Sequence, residues 1–178
     1  MKHHIHERIL KWLRCSSQKG CYFIINTRAA ATKPEHHQQV HNVLDDKIGE
    51  LLVEHQRKRY VHADSLSEGF YLHVFYEGPP ELGMQVVEAT VRHFNVLYRR
   101  HSPETHNTIL FGMCTWEDAY NGADRYNSIR GRDRQVLEER PNESMAKLAI
   151  DVAMERLRRV MLRVWTLDLA RLLATHPP

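Results

Sequence analysis

Arg125, Arg130, Arg132 and Arg134 fall within ten residues, with Tyr126 and Asn127 among them. Guanidinium groups grip phosphate oxygens, and a neighbouring aromatic ring can stack on a base. This grouping therefore suits a nucleic-acid strand. Asp124 and Asp133 dilute the charge, and a solvated, internally paired loop is the plainer alternative. A second group, Arg156, Arg159 and Arg163, recurs at three- and four-residue steps, which on a helix defines one face. Together the two groups predict an anionic partner, with nucleic acid, DNA or RNA, foremost.

Histidine is the other chemically suggestive residue type. His37 and His41 are four apart, with His36 beside them and Asp45 one turn further on. On a helix, two imidazoles at that spacing can reach one metal ion from one face. The spacing supplies no third ligand, and the same pattern occurs on solvated helix faces. No bound cofactor is therefore expected, and a metal-dependent phosphodiesterase or nuclease using His37, His41 or His73 is the enzymatic alternative. There is no phosphate-binding glycine loop and no Gly-x-Ser-x-Gly elbow. Cys15, Cys21 and Cys114 make no Cys-x-x-Cys pair and are odd in number, which predicts reduced thiols and a cytoplasmic setting.

These side chains have to be held by elements that the hydrophobic pattern places. Hydrophobic residues make up 42% of the chain and charged residues 26%, an ordinary balance for a globular protein with its own core. No apolar run approaches a bilayer span, so no membrane partner is expected. The formal charge is +3, and the 13 histidines make it sensitive to mild acid.

Residues 3–15 predict a short amphipathic helix, and Cys21–Asn26 a strand buried on both faces. A long helix follows from Glu35 to about Arg57. Tyr60–Ala63 reads as a short strand, and Asp64 to Gly69 as a turn. Phe70–Tyr76 is an aromatic, β-branched strand between glycine breakers. Residues 81–100 predict a second long helix, and 108–113 a fourth strand. The order predicts an α+β fold with a ferredoxin-like βαββαβ sheet, its first and third strands central. An extra N-terminal helix and a long C-terminal helix are added to that core. The whole reads as one domain: helix to residue 16, core over 20–114, polar insert over 115–141, and last helix over 142–175.

On the last helix, Ile150, Leu157 and Val164 are seven apart, as are Ala153, Val160 and Leu167. Such a seam packs either on a second chain or on the protein's own sheet. The first option predicts a homodimer with Ile150, Leu157, Val160 and Val164 at its interface. A structural adaptor that docks through this helix is a further alternative.

Two comparisons bear on the strands. Phe23–Asn26 and Gly69–Phe75 resemble the sheet motifs of an RNA-recognition motif, whose aromatics stack on bases. Glu68, Tyr71 and Leu72 depart from it, standing where that motif has a basic, a small and an aromatic residue. His73 is similar in placement to the metal-binding strand of rolling-circle replication and relaxase nucleases. Those enzymes put two histidines around one hydrophobic residue, whereas Tyr71 and Phe75 occupy the flanking positions here. Both departures favour a core role for the strand. The sequence therefore predicts a non-enzymatic, self-associating accessory or regulatory protein that binds an anionic partner through arginines.

Overall fold

A computed structural model describes residues 2–14, 20–30, 33–56, 61–101, 108–119 and 143–175. In chain order the elements are α1 (Lys2–Arg14), β1 (Cys21–Asn26), α2 (Pro34–Gln56), β2 (His62–Glu68), β3 (Tyr71–Glu77), α3 (Pro80–His101), β4 (Leu110–Thr115) and α4 (Glu143–Thr175). The strands form one four-stranded sheet in the order β2-β3-β1-β4, with every neighbouring pair antiparallel. The fold is α+β.

Strand alternation sends β1 and β3 side chains into two separate cores. Cys21, Phe23 and Ile25 join Leu72, Val74 and Tyr76 beneath α2 and α3. Tyr22, Ile24 and Phe75 face α1 and α4 on the other side. The sheet is thus the middle of three layers, which explains why β1 is one continuous apolar run.

Each helix buries one stripe. In α1, Ile5, Ile9, Trp12 and Leu13 point inward. In α2, the inward row is His37, His41, Leu44, Ile48 and Leu52, so the two histidines share the core-facing period. In α4, the row is Met145, Ala146, Ala149, Ala153 and Leu157. Its alanines let the helix backbone come close to β4 at Gly112. A methyl at Gly112 would collide with the Ala153 carbonyl and lie 2.9 Å from Leu157 Cβ.

The hairpin departs from expectation. The expected turn over Asp64–Gly69 is mostly strand, and β2 pairs with β3 from His62↔Glu77 to Glu68↔Tyr71. Only Gly69 and Phe70 form the turn. Gly69 has φ +56° and no other residue type has a positive φ among those described, which fits a two-residue type II′ turn. Phe70 therefore leaves the strand to which its sequence pattern assigned it. β2 lacks β-branched residues because it is an edge strand, held by its ladder and by side-chain pins. Arg8 Nε donates to Asp64 at 2.9 Å, and Ser65 donates to Asp45 at 2.7 Å.

The Gly112 contact yields a stability prediction. Gly112→Ala forces α4 off the strand and should cost about 3 kcal/mol, the upper range for overpacking. Gly49→Ala, in the interior of α2 with open space around it, should instead stabilise by about 0.5–1 kcal/mol. Urea denaturation of both variants checks the pair, and equal midpoints would remove the close-approach argument.

Candidate functional site

The polar residues inside the fold fall into three groups. The first lies on the sheet. Tyr22 OH is 2.7 Å from His73 Nδ1, and the two rings stack. His73 Nε2 is 3.7 Å from a Glu68 oxygen, beyond hydrogen-bond reach. We assign the Tyr22 hydroxyl as donor to Nδ1, which leaves the ring proton on Nε2, facing Glu68. On paper a tyrosine, a histidine and a carboxylate in line resemble a nucleophile and its activators. Burial and electrostatics argue otherwise. Tyr22 and His73 lie beneath α1 and α4, closed to any substrate. Burial pushes the Tyr22 phenol above its ordinary range, with Cys114 and Glu68 adding to it, whereas a nucleophile needs the opposite. Burial, with His41 adding, lowers His73 to about 4. Desolvation therefore outweighs the attraction of Glu68, and the imidazole is neutral at neutral pH.

The second group ties α2 to the hairpin. Thr27 Oγ1 donates to the Phe70 carbonyl at 2.9 Å, so it must accept from His41 Nε2–H at 2.9 Å. His37 packs on the Phe70 ring with 4.4 Å between centroids, and Arg28 sits 5.2 Å over the same ring. Burial, reinforced by His37, lowers the His41 pKa. His37 and His41 do come together, but inside the fold rather than on a solvated face. Asp45 turns instead to Ser65. Among the described residues no three His, Cys, Asp or Glu side chains are placed to hold a metal ion.

Two of the three cysteines are inert for the same reason, and Cys15 lies outside the described residues. Cys21 and Cys114 are free and buried in opposite cores. Burial pushes each thiol up to about 12, far from a reactive thiolate.

The third group surrounds the outer edge of β4, which has no strand neighbour on that side among the described residues. Arg156 Nη1 donates to the Met113 carbonyl at 2.8 Å and pairs with Asp118 at 2.7 Å. Asp118 also accepts from Thr115 N–H, while its own N–H donates to Thr115 Oγ1. This is a capping box that opens the helical turn over 116–119. Burial alone would raise the Asp118 pKa, but the Arg156 hydrogen bond and the two from Thr115 hold it below the carboxylate range. Arg156 thus braces α4 against β4. Beside it runs a groove of about 900 Å³, walled by Met84, Val91 and Val96 on one side and Val160 on the other.

Of the other expected arginines, Arg159 is exposed and paired with Glu155, and Arg163 is exposed. Arg125, Arg130, Arg132 and Arg134 lie outside the described residues. Of the expected seam, Leu157 is buried against its own sheet, at 1% exposure, and is not free for a second chain. Ile150, Val160 and Val164 are half-buried. Spacing gave no sign of the groove. Leu167 stands in the expected seam and is exposed, whereas the exposed Leu162 and Trp165 lie outside it.

His73 gives a pH prediction. Between its ordinary 6.5 and about 4, the unfolded chain binds a proton there that the folded chain does not. Stability therefore falls as pH falls through that window. From pH 7 to 5, His73 alone should remove about 2 kcal/mol, at about 1.4 kcal/mol per unit. His73→Gln keeps an acceptor for Tyr22 and should lose less by that amount in urea titrations. Equal losses in both proteins would contradict the assignment. No protein-family model, curated protein or solved structure matches the chain.

Proposed function

We propose that the chain is a non-enzymatic accessory protein that self-associates through the outer half of α4. Its scaffold is best read as ferredoxin-like, since β1 and β3 are the inner strands and α2 and α3 share one face. The observation that carries the reading is exposed apolar surface. Leu162, Trp165 and Leu167 are 59%, 61% and 60% exposed. Leu162 and Trp165 share one side of the helix, and Leu167 points to nearly the opposite one.

The last core residue of α4 is Leu157, yet the helix runs on to Thr175. Eighteen further residues are about 27 Å of helix. Such a segment is marginal alone in water, and a helix apolar on several sides is one that another surface covers. A second copy of α4 is the fitting cover, because Val164 and Leu167 continue the seam whose earlier members, Ala153 and Leu157, are taken by β4. No helix among the described residues is long and apolar enough to cross a membrane. Buried unpaired thiols suit a reducing, cytoplasmic compartment.

Light scattering on the whole chain tests this reading. A dimer is expected, with Trp165 emission shifted to the blue. Leu162→Ala, Trp165→Ala and Leu167→Ala together should give a folded monomer, and a monomeric parent protein at tens of micromolar would end the proposal.

A second reading adds an anionic partner. Arg158, Arg159 and Arg163 are exposed within two turns of α4, and Arg125, Arg130, Arg132 and Arg134 precede that helix. Oligonucleotide affinity should fall steeply with salt. Replacing Arg130, Arg132 and Arg163 by alanine should lower the salt slope by about one for each lost phosphate contact. Absence of binding at low salt removes this reading and leaves the dimer untouched.

A further inference from the structure

The free edge of β4 differs from an ordinary sheet edge. In an antiparallel ladder, alternate residues turn both backbone groups toward the same neighbour. Trp116 N–H donates to Gly20 C=O, and Thr27 N–H donates to Phe70 C=O. These two bonds fix the phase. Tyr22, Ile24 and Asn26 face β4, where they pair with Cys114, Gly112 and Leu110. Ile109, Phe111, Met113 and Thr115 must therefore turn their backbone groups outward.

Side chains meet this edge at both ends. The Asn95 amide donates to the Ile109 carbonyl at 3.0 Å and accepts from its N–H at 2.8 Å, imitating the peptide unit of a neighbouring strand. At the other end Arg156 takes the Met113 carbonyl, and Asp118 takes the Thr115 N–H. Between the brackets, Phe111 N–H, Phe111 C=O and Met113 N–H have no protein partner among the described residues. They line the groove of about 900 Å³ whose walls are α3 and α4.

We infer that this edge is a docking site for an extended polypeptide segment, which adds beside β4 as a fifth strand. The unmet groups, two donors around one acceptor, are what a strand backbone satisfies. The α3 wall of Met84, Val91 and Val96, with Phe111 and Met113 at the base, takes apolar side chains at alternate positions of the incoming strand. A second copy of β4 does not fit. Its own edge would be recessed between the same two helices, and neither edge could reach the other. The occupant is therefore a free segment of a partner protein, apolar at every second residue, with Glu88 and Arg92 also lining the groove beside it. This inference is independent of assembly through α4.

The edge predicts its own amide-exchange pattern and its own response to proline. In the free whole chain, Phe111 and Met113 amides should exchange much faster than those of Leu110, Gly112 and Cys114. Random nonapeptides displayed on phage and selected on the whole chain should yield sequences with alternating apolar residues. As synthetic peptides these should protect the Phe111 and Met113 amides. Met113→Pro removes only an outward N–H, so the β1–β4 ladder survives. It should weaken those peptides by about tenfold or more. Val96→Lys in the α3 wall of the groove, which leaves the strand backbone and α4 intact, should weaken them similarly. The inference is overturned if Phe111 and Met113 are already protected in the free chain, if no peptide is enriched, or if the enriched peptides bind both variants unchanged. It is equally overturned if the groove takes a small apolar dye but no peptide.

Discussion

The contact between α4 and the backbone of β4 at Gly112 is the constraint from which most of the structure's surface features follow. Without a Cβ at that position, the helix settles onto the strand through Ala149, Ala153 and Leu157. That closeness brings Arg156 within reach of the Met113 carbonyl and of Asp118. It also puts Val160 beside β4 as one wall of the groove. Because the contact is made by the first half of the helix, the second half overshoots the sheet. One steric fact thus sets where an arginine is used internally, where a strand edge stays open and where apolar side chains reach solvent.

What was legible in the sequence tracks how local its cause is. β1 and the cores of α2 and α3 are written in runs and stripes that any short window contains. The two-sided burial of β3 was legible too, because Tyr71, His73 and Phe75 alternate with Leu72, Val74 and Tyr76 and neither set suits solvent. β2 was not. His62–Glu68 has a strand's conformation without a strand's composition, since it borrows stability from β3, Arg8 and Asp45. No window on residues 62–68 contains those partners. The histidines of α2 show the same limit. Their four-residue step was visible, but whether that face looked inward depended on Thr27 and Phe70, from two other segments.

The buried polar groups serve the fold. His73 and His41 are each placed by a hydroxyl, Tyr22 and Thr27 respectively, and both rings are biased toward the neutral form by burial. A catalytic base needs a pKa near its working pH and a path for substrate. Neither has a path for substrate, and their hydrogen bonds link β1 to β3 and the residue after β1 to α2. That is how a polar group in a core fixes register and packing rather than chemistry. Tyr22, Thr27, His41 and His73 thus contribute to specifying the fold.

The two edges of the sheet make the last point. An exposed edge invites pairing with other chains, and proteins blunt edges with charge, short strands or cover. β2 is blunted along its length: Asp64, Ser65, Ser67 and Glu68 are polar, and two side chains from α1 and α2 pin it. β4 carries no charge between Leu110 and Thr115, and among the described residues it is blunted only at its ends, by Asn95 and by the Arg156–Asp118 pair. If protection from aggregation were the sole demand, a lysine at Phe111 or Met113 would meet it. Instead both positions are apolar and line the groove between α3 and α4. Recessing an edge excludes sheets and admits segments, and that asymmetry is what gives the open part of β4 a selective use.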